Sequence, residues 1–152
     1  MRVRDLMTSP VFTIEPDAPA QTARERMRGR DLHHLVVVRQ GAPCGVLSAR
    51  DLGGRGGATL KRRETVEERM TPLAITVTSN TTVRQAASLM RGRGIGCLPV
   101  VDSERLIGIV TISDLLGLLA AGLGVSTTTE RRLRAQRLRQ KKVAQRRVAM
   151  HA

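Results

Sequence analysis

Residues 45–52 read Gly-Val-Leu-Ser-Ala-Arg-Asp-Leu, and residues 108–115 read Gly-Ile-Val-Thr-Ile-Ser-Asp-Leu, so one pattern returns after 63 residues. The same shift carries Met7-Thr8 onto Met70-Thr71, Met27-Arg28-Gly29-Arg30 onto Met90-Arg91-Gly92-Arg93, and Val37-Val38 onto Val100-Val101. A repeat of this kind predicts two copies of one structural unit. Any site that one unit builds therefore has an equivalent place in the other.

The composition is that of a folded protein without rigid aromatic anchors. Of 152 residues, 41% are apolar, and they include one Phe and neither Tyr nor Trp. No apolar run approaches the ~18 residues of a membrane span. The first residues are charged and lack the apolar stretch of a secretion signal. We therefore expect a cytoplasmic protein with no membrane span.

Each unit is predicted to contain a short strand, a helix, two strands and a second helix. In the first unit, Ala20, Ala23 and Met27 share one helical face, which Gly29 is expected to end. The continuous apolar run at residues 35–38 is typical of a strand covered on both faces. The predicted strands are residues 11–14, 35–38, 45–47, 75–77, 97–101 and 106–110, and the predicted helices of the second unit run from Val83 to Gly92 and from Ile112 to Ala121.

A unit of this size buries too little surface to be stable alone. We therefore predict an α+β protein in which two β-α-β-β-α units pack through their sheets with approximate two-fold symmetry and enclose two related clefts. The predicted boundaries are 1–60 for unit one, which ends in the glycine-rich linker Gly53–Gly57, 61–124 for unit two, and 125–152 for a tail. Regular structure is costly for such a linker.

The most suggestive pattern for chemistry is Gly-x-x-Ser/Thr-x-x-Asp, which occurs as Gly45, Ser48 and Asp51 and again as Gly108, Thr111 and Asp114. Glycine allows a ligand close to the backbone. The hydroxyl can bind a sugar or phosphate, and the aspartate can accept hydrogen bonds from a ribose diol. The same residues also suit ordinary helix capping. Two copies in register favour a ligand site over capping alone.

Metal binding and catalysis are not predicted. His33 and His34 are adjacent on a strand, so their side chains point to opposite faces and cannot chelate one ion. Cys44 and Cys97 are interpreted as buried, unreactive thiols, with a disulfide or a metal pair as the alternative. Because no set of nucleophile, base and acid appears, we expect no enzymatic activity.

The tail concentrates positive charge. The net charge is +13, and from Ser126 onwards nine Lys or Arg face one Glu. The stretch is predicted to be a helix over residues 130–148 or disordered. It is either a solvated extension, a nonspecific nucleic-acid contact or a contact with an acidic protein or membrane surface. An alternative function is therefore a nucleic-acid-associated protein whose repeated body is a dimerising scaffold.

The order of these motifs resembles a tandem pair of CBS (cystathionine β-synthase) domains, a Bateman module, over residues 1–121. The marks are Met7-Thr8 and Met70-Thr71, the run Leu98-Pro99-Val100-Val101-Asp102, and the two Gly-x-x-Ser/Thr-x-x-Asp segments. The resemblance implies a non-catalytic regulatory module that binds AMP, ATP, S-adenosylmethionine or a related adenosyl compound between its units. It also implies a homodimer formed through helices.

The resemblance also assigns roles to residues. Asp51 would hold ribose hydroxyls in one cleft and Asp114 in the other, with Ser48 and Thr111 near ribose or phosphate. The adenine slots would include Val11 and Ile75, and His34 and Pro99 are further candidate ligand-binding residues.

Arg50 is placed for a phosphate, whereas its equivalent Ser113 is not. The units differ further where Val36 matches Pro99 and where His34 matches Cys97. We therefore expect unequal clefts, with the Asp51 cleft preferring phosphorylated ligands.

Overall fold

The computed structural model describes residues 1–54, 59–72 and 75–122. A 3-10 turn at Val3–Asp5 precedes the first strand. The strands are β1 (Thr13–Ile14), β2 (His34–Arg39), β3 (Ala42–Ser48), β4 (Thr71–Pro72), β5 (Cys97–Asp102) and β6 (Arg105–Thr111). The helices are α1 (Ala20–Arg30), α2 (Val66–Arg69), α3 (Val83–Arg93) and α4 (Ile112–Gly122). The tail at 125–152, with its predicted helix over 130–148, lies outside the described residues.

Both units are built on an antiparallel hairpin. In unit one, β2 pairs with β3, and β1 lies parallel to β2 with Ile14 opposite Val37. In unit two, β5 pairs with β6. The parallel neighbour of β5 is reduced to one bridge between Val77 and Val100, so the strand predicted over 75–77 is nearly absent. The predicted α+β fold of two related units is confirmed.

The first residues of each unit pack into the other unit. We call residues 1–8 and 64–71, which are equivalent under the 63-residue shift, the leading segments. Thr8 pairs with Ile109 on β6, and the equivalent Thr71 pairs with Val46 on β3. The units are therefore interlocked, because the first residues of each complete the sheet of the other.

Backbone hydrogen bonds repeat this exchange. The Val66 amide donates to the Ala18 carbonyl at 2.9 Å, and the equivalent Val3 amide donates to the Thr81 carbonyl at 2.8 Å. Two further equivalent pairs run from Ala20 to Glu64 and from Val83 to Met1, at 2.8 and 3.2 Å. The approximate two-fold relation thus extends to individual hydrogen bonds.

Three apolar clusters follow from the exchange. Val66 from the second leading segment lies in the core of unit one, and Val3 and Leu6 lie in the core of unit two. The third cluster joins the sheets of the two units and contains Val36, Val38, Cys97 and Ile109. Successive residues of β2 therefore alternate between their own helix and the opposite sheet, which explains why the run is continuously apolar.

The second helix of unit one differs from its prediction. Residues 49–54 form consecutive turns, whereas the equivalent stretch of unit two begins α4. Gly53 and Gly54 both have positive φ, at 92° and 53°, which is incompatible with a right-handed helix.

The predicted helix ends are also wrong by one residue. Helices α1 and α3 continue past Gly29 and Gly92, because the left-handed capping residues are Asp31 at φ 53° and Gly94 at φ 63°. In the part of the chain that the structure describes, no helix has the length and apolar character needed to cross a bilayer.

The two motif glycines have a steric role that the sequence did not reveal. A Cβ at Gly45 would lie 2.5 Å from Met70 Sδ and 3.0 Å from the Thr71 carbonyl oxygen. A Cβ at Gly108 would meet Met7 in the same way. Each glycine therefore makes room for the leading segment that crosses it, rather than for a ligand as its position in the motif suggested.

We predict that Gly45→Ala lowers the free energy of unfolding by about 1–3 kcal/mol, because the added methyl group overpacks against Met70 and the Thr71 backbone. The control is Gly92→Ala in helix α3, where a Cβ would meet nothing within 4 Å. That change should stabilise by roughly 0.5–1 kcal/mol. Urea unfolding measures both, and equal effects of the two substitutions would contradict the steric role.

Candidate functional site

A cavity of about 510 Å³ lies at the junction of the two units. Much of its lining consists of residues and their own equivalents under the 63-residue shift, so the cavity straddles the internal two-fold relation. These residues are His33, His34, Ala49 and Arg50 from unit one and Gly96, Cys97, Ile112 and Ser113 from unit two. The remaining lining includes Ser48 and Asp51 of unit one without their equivalents in unit two, so the lining is not symmetric.

Asp51 is held rigidly at this cavity. Its Oδ2 atom accepts hydrogen bonds from the Ser48 amide at 2.6 Å and from the Ser48 hydroxyl at 2.8 Å. The Asp51 amide lies 3.3 Å from Ser48 Oγ and donates to it. Among the described residues, Asp51 Oδ1 accepts no hydrogen bond. The carboxylate thus uses one oxygen to cap the turn, and the other has no donor among the described residues.

Thr111 and Asp114 reproduce this local geometry. Asp114 Oδ2 accepts from the Thr111 amide at 2.8 Å and from its hydroxyl at 2.9 Å. Neither residue lies on the lining of the 510 Å³ cavity. The sequence pattern predicted both capped aspartates equally, and the structure brings only Asp51 to this cavity.

The turn that carries Asp51 is braced from unit two. Arg69 Nη1 donates to the Asp51 carbonyl at 3.3 Å, and its guanidinium pairs with Glu64 at 2.6 and 3.0 Å. The Glu64 partner raises the pKa of Arg69, and hydrogen bonds from Arg69 and the Lys61 amide lower the pKa of Glu64. Sequence analysis missed Arg69, although its equivalent Leu6 marks it as a departure from the repeat.

Three other predicted residues do not line the cavity. Val11 packs against the apolar cluster between the sheets, and Ile75 packs against the core of unit two. The two are not equivalent, since the shift relates Ile75 to Phe12. Pro99 is fully buried. The leading segments contribute Thr71 to the lining of the 510 Å³ cavity.

His34 lies on the lining and packs against the opposite unit. Its Nε2 atom is 3.4 Å from the position that a Cβ of Gly96 would occupy. Burial lowers the pKa of His34, and neighbouring His33 lowers it further, whereas the charge of Asp51 acts in the opposite direction. A neutral imidazole is therefore favoured beside the Asp51 carboxylate at neutral pH.

Both cysteines are free thiols, but the expectation that both are buried holds for Cys97 alone. Burial raises the pKa of Cys97 to about 12, which keeps this thiol protonated and unreactive. Cys44 is half-buried. Over residues 1–54, 59–72 and 75–122, no group of three or more His, Cys, Asp or Glu side chains has a metal-binding arrangement.

The fold and the cavity define a tandem-repeat α+β module with a ligand-sized cleft between two interlocked units. A family model described as "CBS domain" matches residues 3–52 and 66–121. The chain therefore belongs to the CBS domain family and contains a pair of these domains.

Individual relatives agree with this assignment. CBS domain-containing protein YhcV of Bacillus subtilis is 34% identical over 114 residues, which cover 74% of this chain and 81% of YhcV. The inosine-5'-monophosphate dehydrogenase of Thermoplasma acidophilum is 29% identical over 76% of this chain but only 23% of that enzyme. The CBS domain pair of protein MJ0100 superimposes with a TM-score of 0.69 at 26% identity, over 80% of this chain and 98% of that one. That structure is a complex with 5'-methylthioadenosine and S-adenosyl-L-methionine.

We predict that folding stability falls as the pH drops below about 6.5, the ordinary pKa of histidine. The pKa of His34 is lower in the folded protein, so the unfolded chain binds more protons between the two pKa values. Stability therefore rises with pH across that window, by at most about 1.4 kcal/mol per unit for this one group.

Urea unfolding of wild type and His34→Asn between pH 5 and 7.5 tests this expectation. The difference between the two proteins should shrink as pH falls. A difference that is constant with pH would contradict the assigned role of His34 burial.

Proposed function

We propose that the protein is a non-catalytic regulatory module that binds an adenosine-containing ligand, such as AMP, ATP or S-adenosylmethionine, in the Asp51 cavity. The proposal rests chiefly on the Asp51 carboxylate. One oxygen is fixed by Ser48, and the other, without a hydrogen-bond donor among the described residues, belongs to a side chain on the cavity lining. A fixed carboxylate of this kind suits a vicinal diol, because its second oxygen can accept from ribose hydroxyls.

The remaining lining supports the same assignment. Val46 and Ile95 supply apolar surface on which an adenine ring can lie. Arg50, which is exposed, offers a guanidinium to a phosphate, and His33 lies beside it on the lining. The bound adenosyl compounds of the MJ0100 domain pair give independent support for this ligand class.

Binding would be transmitted because both units form the cavity. A ligand that touches Asp51 in unit one and Ser113 in unit two favours the arrangement in which both contacts are made. Its differential affinity for that arrangement then shifts the population of the module. No catalytic step is assigned to these residues. The roles of Thr111 and Asp114 at a second cleft remain a prediction from the repeat.

We further propose that the protein forms a homodimer through α4. Leu116 and Leu119 are 57% and 61% exposed, and Ile112 on the same helical stripe is 44% exposed. The spacing of four and three residues places these side chains on one face. A second copy can cover such a stripe symmetrically, since a two-fold interface pairs the same surface of both subunits. A role for the basic tail in nucleic-acid binding lies outside the described residues and stays a prediction.

We predict that Asp51→Ala weakens adenosyl-ligand binding by roughly tenfold or more, because a charged hydrogen-bond acceptor is lost from the cavity. The matched control is Asp114→Ala, which removes the same Ser/Thr-Asp cap without altering this lining. Calorimetric titration of AMP, ATP and S-adenosylmethionine into both variants measures the effect. Wild-type affinity at this cavity in Asp51→Ala, or no binding of any of the three ligands to wild type, would refute the assignment.

We also predict that Leu116→Lys converts the dimer into a monomer, because it places a charge in the centre of the apolar stripe. The control Gln21→Lys adds the same charge at an exposed position of α1, where Gln21 donates a hydrogen bond to Glu25 at 3.2 Å. Sedimentation velocity reports the mass of each variant. A monomeric wild type would show that a second copy does not occupy the stripe.

A further inference from the structure

A second cavity, of about 400 Å³, lies in unit one between α1 and the turns at residues 49–54. It shares His33, Ala49 and Arg50 with the cavity that contains Asp51, so the two adjoin along one wall. None of the residues predicted from the sequence motif, apart from Arg50, belongs to it. We call it the arginine cavity.

The lining of the arginine cavity combines apolar side chains with a cluster of basic ones. Arg24 and Arg28 from α1 and Arg50 from the turn contribute three guanidinium groups. Asp31 is the one acidic side chain among the described lining residues, which leaves a formal charge of 3 − 1 = +2. Three cations around one concave space repel one another, and an anion bound there relieves that repulsion.

The internal repeat provides a direct comparison. Arg28 has an arginine equivalent, Arg91, but Arg24 is replaced by Ala87 and Arg50 by Ser113. His33 is replaced by Gly96 in the same way. The two units share one fold, so the shared architecture does not require this concentration of positive charge. It is a property of unit one alone.

A hydrogen bond to the backbone holds one of the three arginines in place. Arg24 is half-buried, and its Nη2 donates to the Leu52 carbonyl at 2.9 Å, which ties α1 to the turn. Arg28 is exposed on the last turn of the same helix. Arg24 is thus anchored to the turn, whereas Arg28 lies exposed on the same helix.

We infer that the arginine cavity is a binding site for a phosphate-class anion, and that it exists in unit one only. Guanidinium groups bind phosphate oxygens through paired hydrogen bonds, which favours arginine clusters for this ligand. The volume accommodates more than one phosphate group, so a diphosphate or triphosphate fits the site better than a single oxyanion. The site does not require adenosine in the adjoining cavity. The anion is either a free polyphosphate or the phosphate chain of a nucleotide whose adenosine lies beside Asp51.

The test is calorimetric titration of sodium tripolyphosphate into the full chain and into two variants of equal charge. Arg28→Gln removes a cation from the arginine cavity, and Arg91→Gln removes the equivalent cation from α3. Arg28 and Arg91 are both exposed, so the two substitutions are matched in burial as well as in charge. We expect saturable binding to wild type, roughly tenfold weaker binding to Arg28→Gln and unchanged binding to Arg91→Gln. Arg24→Ala, which restores the residue type of unit two, should weaken binding as well.

Equal weakening by Arg28→Gln and Arg91→Gln would overturn the inference, because it would show nonspecific attraction to a basic protein. Absence of saturable tripolyphosphate binding to wild type would overturn it as well. Repeating the titration in the presence of saturating ATP, and separately of adenosine, distinguishes the two sources of phosphate. Competition by ATP but not by adenosine assigns the site to a nucleotide phosphate chain, and simultaneous binding assigns it to a free anion. Loss of AMP binding in Asp51→Ala with tripolyphosphate binding intact would separate this site from the adenosine cavity.

Discussion

The structure depends on the crossing of the two leading segments. Met70 and Thr71 pass over Gly45 so closely that a methyl group has no room between them, and Met7 passes over Gly108 in the same way. The crossing buries Val3 and Val66 completely in the core of the other unit. Full burial of a valine is worth about 1.5–3 kcal/mol. Neither unit can therefore keep a complete core if the other moves away, and the pair behaves as one folding unit.

The crossing also brings residues of both units to the lining of the central cavity. Because Thr71 enters the sheet of unit one beside Val46, a residue of unit two stands on the lining next to Asp51. Arg69, two residues before Thr71, donates a hydrogen bond to the Asp51 carbonyl and braces the turn that carries the carboxylate. The same segment thus joins the cores, lines the cavity and supports the site. The residues that pack the two units together are consequently also residues that line or support the central cavity.

The two units share a backbone fold but differ in the charge of their side chains. Equivalent residues on the lining of the central cavity differ in chemistry: Arg50 is charged where Ser113 is not, and the imidazole of His34 corresponds to the thiol of Cys97. Such differences leave the hydrogen-bonded frame intact, because they fall on side chains at the lining rather than on the crossing. The two halves therefore form a symmetric scaffold whose central lining is more basic on the side of unit one, where Arg50 lies.

The sequence alone determined the repeat, the α+β class, the strands covered on both faces and the local Ser48–Asp51 cap, because each depends on residues close together in the chain. It placed helix ends one residue early and predicted a helix where Gly53 and Gly54 have positive φ. Only the tertiary structure decided that Gly45 serves the crossing, that Asp51 rather than Asp114 lines the central cavity, and that three arginines converge beside it. These outcomes depend on which distant segments pack together, and a local pattern holds no information about what lies opposite it in space.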